Sequence, residues 1–387
     1  MKKGIKETLL GTLVHGKEVL NNIDVLRKTS NDKIVEYNLA DNVINKLHQK
    51  ELHLVVNEII DTHKNAKIFR LVSEDNYLPP FEAGQYINLF VEIDGVYTSR
   101  PYSISSSPLQ RAYYEVTIAR VNDGFVSSYF LDKVKVGDKL IANGPSGVFH
   151  YNKVFHSPKA LFIAGGSGIT PFMSMLREIL SAKHDRDVVL LYGCPELKNA
   201  LYHDELTYLS KTYNNFKYHL VLSNEVNKDY EHGFISKELI TKLVKDYNER
   251  TSYICGPQVM NAFVESNLKE LNVPLKQIRR EMFSSNKNVI KEEGFPKSLT
   301  GEEVFNVKVN DQMIKAKANE SLLVALERNH IRVNVCCRSG ECSLCRVKLV
   351  KGKVYLAKGI LLRKADEKFG YIHSCKAYPL TDLEIML

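Results

Sequence analysis

The chain has 387 residues, of which 44% are hydrophobic and 25% charged, and its formal net charge is +8. That composition is ordinary for folded proteins and long enough for more than one domain, which excludes overall disorder. No apolar run approaches the roughly 20 residues that span a bilayer, and the opening MKKGIKETLLGTLVHGKEVL is interrupted by Lys, Glu and His where a secretory segment would be apolar, so a cytoplasmic location and no transmembrane segment are expected. Lysines alternate with acids along most of the chain and no helix-turn-helix or zinc-finger pattern occurs, so the basic balance implies no nucleic-acid partner.

In chain order, residues 1–50 read as an N-terminal helical extension of unknown role. KETLLGTLVHGKEVLNNIDVL can align Leu and Val on one helical stripe, which suits a packing face better than a recruitment helix, and VINKLHQK is a second weak helix. Residues 51–156 carry short alternating strands such as LHLVVNEII, YINLFVEI and YYEVTIARV between Pro- and Gly-containing turns, the pattern of an antiparallel barrel. In residues 157–285 the apolar runs ALFIAGG, VVLLYG, YHLVLS and SYICG alternate with helical patterns such as PFMSMLREILSA, which predicts a parallel α/β sheet. Residues 286–300 are polar and contain Gly and Pro, a tether in composition. In residues 301–387, FNVKVN and MIKAKA form a hairpin pattern, SLLVALERNH a short helix, and CRVKLVKGKV a strand and turn.

Five of the seven cysteines crowd into the last 52 residues. Cys337, Cys342 and Cys345 follow C-x4-C-x2-C, and Cys375 follows after 29 intervening residues. This matches the plant-type [2Fe–2S] spacing, in which three thiolates come from one tight loop and the fourth from a distant segment. Zinc would more often show paired C-x2-C knuckles. Gly340 lets the loop fold back on itself, and Cys336, adjacent to a ligand, reads as a packed bystander.

Upstream, four motifs follow one another: Arg100-Pro101-Tyr102-Ser103, Gly124-Phe125-Val126-Ser127, Gly165-Gly166-Ser167-Gly168-Ile169-Thr170-Pro171 and Cys255-Gly256-Pro257. Gly124 to Ser127 opens the helix-like SSYFLDKV, where amides and a hydroxyl can receive a pyrophosphate. The Gly165 loop follows a buried strand and precedes a helix, where a glycine turn lets a dinucleotide phosphate approach the backbone.

In this order, and with the cysteine quartet, the chain resembles the ferredoxin–NADP reductase superfamily, and within it the flavin–NAD(P)–[2Fe–2S] reductases with a C-terminal plant-type ferredoxin domain. The resemblance covers about residues 52–387. It implies a multidomain β, α/β and α+β fold: an antiparallel flavin-binding barrel, a parallel α/β nucleotide-binding domain and a β-grasp-like ferredoxin domain. By resemblance, Arg100 pairs with a flavin phosphate, Tyr102 stacks on the isoalloxazine and Ser103 hydrogen-bonds near N5. Ile118-Ala119-Arg120 is the second flavin-contact segment. Gly166, Ser167, Gly168 and Gly193, at the end of VVLLYG, serve the nucleotide, with Thr170 and Pro171 toward the flavin and nicotinamide. Cys255 is placed against the nicotinamide with Gly256 and Pro257, orienting the ring and excluding water. Glu281 and Phe283 of RREMF match the strand end that follows in relatives, with Glu281 near Cys255. One residue departs from the pattern: Ser343 stands where the ferredoxin family usually has glycine.

The helix-opening loop favours FAD, with FMN the less favoured alternative. After VVLLYG the sequence Cys194-Pro195-Glu196-Leu197-Lys198-Asn199 has an acid and no Arg, which favours NADH; Lys198 keeps NADPH open. The expected function is hydride transfer from NAD(P)H to flavin, then single electrons through the cluster to an acceptor protein such as an oxygenase, a hybrid-cluster protein or a corrinoid-activating system. Residues 301–387 hold 15 Lys and Arg against 10 Asp and Glu, so the acceptor's docking surface is expected to be acidic. The alternative, a redox sensor or interaction module without turnover, needs an output domain, for which only residues 1–50 are available.

Overall fold

The computed structural model describes residues 14–29, 43–44, 49, 51–63, 65–282 and 289–387. The chain divides into two compact units, 1–47 and 48–387. In the first, α1 (Gly16–Thr29) carries Glu18 in its first turn, with its carboxylate 3.2 Å from His15 Nδ1. The second helix expected over VINKLHQK falls mostly outside the described residues, as does Phe283. Among the described residues no helix is long and apolar enough to cross a membrane.

The second unit begins with six antiparallel strands: β1 (Leu52–His63), β2 (Ala66–Ser73), β3 (Tyr86–Ile93), β4 (Val96–Ser103), β5 (Tyr114–Ala119) and β6 (Lys139–Ser146). Their order is β4-β3-β6-β1-β2-β5, and a bridge from Ile104, just past β4, to Val116 of β5 joins the two ends into a barrel. The sequence alternation explains the closure: Leu52, Leu54 and Val56 point inward while His53 and Asn57 face out. Helix α2 (Phe125–Asp132) plugs the barrel with Val126, Phe130 and Leu131.

A parallel sheet follows, built from β7 (Lys159–Gly165), α3 (Thr170–Ser181), β8 (Asp187–Cys194), α4 (His203–Thr212), β9 (Phe216–Leu222), β10 (Glu231–His232), α5 (Lys237–Leu243), β11 (Thr251–Cys255), α6 (Gln258–Glu270) and β12 (Ile278–Glu281). Its order is β10-β9-β8-β7-β11-β12. Ala160, Phe162 and Ala164 of β7 pack on one face with Phe172 and Leu176, and Leu161 and Ile163 pack on the other with Val264 and Leu268. Helices cover both faces, which is why the strands read as unbroken apolar runs. The chain leaves β7 toward β8 and later returns to its other side at β11, so the crevice for a ligand opens at the carboxyl ends of β7 and β11.

Barrel and parallel sheet are locked by a buried charge relay. Glu115 of β5 accepts from Arg70 Nε (3.1 Å) and Arg177 Nη1 (2.6 Å), and Arg177 of α3 forks onto Glu205 of α4 at 2.7 Å through each nitrogen. Because both arginines are matched by acids, Glu115 stays ionised at 2% exposure. The relay fixes α3, and with it Thr170, against the barrel.

The C-terminal part consists of β13 (Val304–Val309), β14 (Gln312–Lys317), α7 (Leu322–Arg328), β15 (Arg346–Lys351), β16 (Val354–Leu356), α8 (Lys364–Lys368), β17 (Tyr371–His373), β18 (Ala377–Pro379) and β19 (Leu383–Met386). The five-stranded sheet runs β14-β13-β19-β15-β17, with β13 parallel to β19, and α7 packs Leu322, Ala325 and Leu326 on it. The expected hairpin, helix and strand all form. Residues 289–300, a tether by composition, pack beside the separate two-stranded sheet of β16 and β18 instead: Phe295 meets Tyr355 of β16 edge-on at 5.3 Å, and Glu292 Oε2 accepts from Tyr355 Oη (2.9 Å) and the Lys358 amide (3.1 Å). Two apolar side chains, Val289 and Phe295, drive that packing, and a reading weighted to polar composition overlooks them.

Candidate functional site

A cleft of about 390 Å³ collects residues from all three parts. The barrel contributes Arg100 to Ser103 at the end of β4, Thr117 and Ala119 of β5, and Gly124 to Ser127 at the start of α2. The parallel sheet contributes Ser167 and Thr170, and the C-terminal part Ser321, Leu323, Val324, Arg338 and Cys375.

Arg100 donates to Thr98 Oγ1 (3.0 Å) and to the Ser99 carbonyl (2.7 Å), neither of them an acid. Burial and the nearby Arg338 push its pKa down to about 10. A partly buried cation short of negative charge is a phosphate site in waiting. Tyr102 sets its ring in the cleft wall, held edge-on by Phe130 at 5.8 Å, and burial pushes its phenol up. At Gly124 a Cβ would lie 2.4 Å from Ser127 Oγ and 2.8 Å from the Val121 carbonyl, so only glycine lets the chain enter α2 here. No side chain caps that helix, which leaves its first-turn amides to an anion. The Ser127 hydroxyl is already engaged: it accepts from the Val121 amide at 3.1 Å. These groups fit a flavin with its phosphates.

Of the second flavin segment, only Ala119 reaches the cleft. Ile118 points into the barrel core, and Arg120 forks onto Asp132 at 2.6 and 3.0 Å.

In the nucleotide crevice the glycines have divided duties. Gly166 has φ +53° and open space where a Cβ would be, the condition for close approach of a ligand. Gly168 is packed: a Cβ there would sit 2.1 Å from the Cys255 carbonyl oxygen. Gly165 and Gly256 crowd Met260 in the same way, so these three join the loop to the carboxyl end of β11. Thr170 Oγ1 donates to the Ser167 carbonyl (2.8 Å), Pro171 is buried in the first turn of α3, and Pro257 caps α6. Gly193 pairs in register with Gly165. Cys255 and Glu281 are register partners across β11 and β12, both buried, and Glu281 Oε2 has no hydrogen-bond partner among the described residues.

The four thiols converge as two pairs. Cys337 interacts with Cys342 and Cys345 with Cys375; hydrogen bonding within each pair pulls Cys337 and Cys345 below the ordinary thiol range and pushes their partners up. The Ser339 and Cys342 amides donate to Cys337 Sγ at 3.4 and 3.3 Å, as a thiolate requires. Among the described residues no three His, Cys, Asp or Glu side chains gather for a single ion, and a two-by-two arrangement fits two irons. Cys336 is buried against Tyr86 Oη at 3.6 Å. Sequence reasoning missed the cleft residues Thr117, Val121, Asp123, Ser321, Leu323, Val324 and Arg338. Only Arg338, a charge inside C-x4-C, left a visible signal.

The sequence matches three family models: an oxidoreductase FAD-binding domain over residues 52–151, an oxidoreductase NAD-binding domain over 162–266 and a 2Fe-2S iron–sulfur cluster binding domain over 305–380. NADH oxidoreductase HCR of Escherichia coli is 30% identical over 313 residues, covering 81% of this chain and 90% of its own length. The glycine betaine monooxygenase reductase subunit of Pseudomonas aeruginosa is 28% identical over 342 residues, covering 85% and 93%. The solved structure of phthalate dioxygenase reductase superposes with a TM-score of 0.65 at 25% identity, covering 87% of this chain and 98% of that one.

Proposed function

Because the chain belongs to the flavin- and nicotinamide-dependent [2Fe–2S] reductases of the ferredoxin–NADP reductase superfamily, we propose that it takes hydride from NADH and delivers single electrons to an acidic oxygenase component. The family assigns it FAD, a nicotinamide nucleotide and a [2Fe–2S] cluster. When bound, FAD supplies a two-electron acceptor for hydride and the cluster a one-electron carrier. One observation carries the reading: Cys375, Tyr102 and Thr170 line a single cleft, so cluster ligand, flavin wall and nucleotide crevice adjoin.

In this reading Arg100 and the α2 amides hold the flavin phosphates, Tyr102 supports the ring system, and Ser103 donates to its edge. Cys255 fills the space beside the nicotinamide and keeps water out, while burial keeps Glu281 neutral beside it. Cys337, Cys342, Cys345 and Cys375 ligate the irons. We also assign residues 51–156 to the flavin barrel, 157–285 to the nucleotide domain and 301–387 to the ferredoxin domain, and place the protein in the cytoplasm.

The oxygenase assignment follows the names of relatives, several of them monooxygenase reductase components. A sensor role is not favoured, since reductase relatives cover 85% of the chain. The test is separability. Cys342→Ser should abolish NADH-driven cytochrome c reduction while sparing NADH–ferricyanide activity, and the wild type should yield FAD, iron and acid-labile sulfide. Loss of both activities in a folded, FAD-replete variant would overturn the order of transfer.

A further inference from the structure

Thr98 sits where three charged side chains meet. It lies on β4, two residues before Arg100, and is 3% exposed. Its hydroxyl donates to Glu327 Oε2 (3.2 Å) and accepts from Arg100 Nη1 (3.0 Å) and Arg338 Nη2 (3.0 Å). A hydroxyl has one proton and two lone pairs, so its capacity is fully used. Glu327 and Arg338 close the figure with a forked ion pair, Nη1 to Oε2 at 3.1 Å and Nη2 to Oε1.

The three partners belong to different devices. Arg100 is the cleft cation suited to a phosphate. Glu327 is on α7, the helix whose Leu323 and Val324 line the same cleft. Arg338 follows Cys337 in the cluster loop and is held at φ +54°, a conformation a non-glycine residue keeps only when its surroundings enforce it. Glu327 neutralises Arg338 and leaves Arg100 free for an outside anion. Around this node the contact between barrel and ferredoxin domain is sealed. Asn88 Nδ2 donates to Ser99 Oγ and to the Val335 carbonyl, each at 3.0 Å, and the Arg332 guanidinium covers the Tyr97 ring at 4.6 Å.

We propose that Thr98 is a positioning residue that couples flavin binding to the seating of the cluster loop on the barrel. One hydroxyl orients both Arg100 and Arg338, so occupancy of the flavin site and docking of residues 332–339 strengthen each other, by the same factor in either direction. The proposal rests on the reading of Arg100 as a flavin-phosphate ligand.

The measurement is amide hydrogen exchange of the full chain, depleted of FAD and then reconstituted, with FAD affinity determined in parallel. In the wild type, added FAD should slow exchange across 332–339. Thr98→Ser keeps the hydroxyl and should behave likewise. Thr98→Val is isosteric without it: the FAD-dependent protection should disappear and FAD should bind roughly tenfold more weakly, the loss of a hydrogen bond to a charged group. Should Thr98→Val fail to fold, Glu327→Gln serves, since it keeps the hydroxyl but removes the counter-charge of Arg338; it too should lose the protection. If either folded variant retains wild-type protection, the coupling is wrong. Arg100→Lys separates the premise: undiminished FAD affinity there would overturn the phosphate reading, whereas weakened affinity with protection intact in Thr98→Val would overturn only the coupling.

Discussion

Cys255 and Glu281 stand in register at the carboxyl ends of two adjacent parallel strands, and both are held neutral. Burial, then Glu281, raises the thiol; burial, then Glu341, raises the carboxyl. A neutral pair at the mouth of the crevice suits a site where hydride must move without competing water or charge. Cys255→Ala should therefore slow NADH–ferricyanide turnover by about 10- to 100-fold through misplacement of the nicotinamide, with FAD, iron and sulfide content unchanged. Turnover at the wild-type rate would remove Cys255 from the site.

Glu281 also predicts a pH dependence of stability. An acid whose folded pKa lies above its unfolded value stabilises the fold fully below the unfolded value, here about 4.5, and that contribution drains away as pH climbs toward the folded pKa. Glu281→Gln has no proton to lose, so it should gain on the wild type as pH rises. Its Tm advantage should be larger at pH 8 than at pH 5, by about 2–4 °C for each ~1 kcal/mol relieved. Equal differences at both pH values would mean that Glu281 titrates alike in the folded and unfolded chain.

The glycine usually found after the second loop cysteine now has a physical explanation. Ser343, which replaces it, sits at φ +61°, in the left-handed region where a Cβ costs roughly 1–2 kcal/mol. Ser343→Gly should slow the loss of cluster absorbance in denaturant, in line with a gain of about 1 kcal/mol. Gly340 is the opposite case: at φ +84° a Cβ would meet Lys376 Cγ at 2.9 Å and Ile360 Cγ1 at 3.1 Å. Gly340→Ala should lower iron and sulfide content per chain; full loading would show that the loop can open.

These residues also mark what the sequence could and could not disclose. The cysteine quartet, the Arg100 to Ser103 strand end and the Gly165 loop stood out in the sequence because the chemistry proposed for them needs residue types at short, fixed spacings. The barrel and the parallel sheet were readable because burial on one face or on two writes different periodicities. The Thr98 node was not. Thr98 and Arg338 lie 240 residues apart, and each alone looks like an ordinary polar side chain. Arg120 is a related case: family position suggests a flavin contact, while Asp132 at the end of α2 pairs with its guanidinium. The packing of 289–300 was hidden by two apolar residues among many polar ones.

Nucleotide preference should follow the acids at the ends of β8 and β9. Glu196 engages Lys198, the cation that would otherwise be free for a 2′-phosphate, and Glu225 Oε2 accepts from the Leu197 amide at 2.8 Å. Two carboxylates there repel a phosphate, so kcat/KM should favour NADH over NADPH by roughly tenfold or more, the equivalent of about 1.4 kcal/mol. Glu196→Gln should narrow the ratio by releasing Lys198. A ratio near unity in the wild type would place the adenosine end elsewhere.

The acceptor should meet the ferredoxin domain on a basic, partly apolar face beside the cluster loop. Leu344, between two cluster cysteines, is exposed. So is Leu361, whose amide donates to the Gly340 carbonyl of that loop at 3.0 Å. Arg346, next to Cys345, and Arg363 share one acid, Asp366, so the pair retains a net positive charge; Lys364 and Lys368 of α8 add two more, against Glu367. Exposed charges at this density act mainly on encounter, raising the association rate with an acidic partner and losing their reach as the Debye length falls below about 8 Å. NADH-driven reduction of an acidic acceptor, with a plant-type ferredoxin as the probe, should therefore slow severalfold between about 50 and 300 mM salt. NADH–ferricyanide turnover, which needs no protein docking, should change much less. Lys364→Glu with Lys368→Glu should lower the rate at low salt and flatten the salt profile, because fewer charges remain to be screened. A flat profile in the wild type would sink the electrostatic account while leaving the transfer from NADH to the cluster untouched.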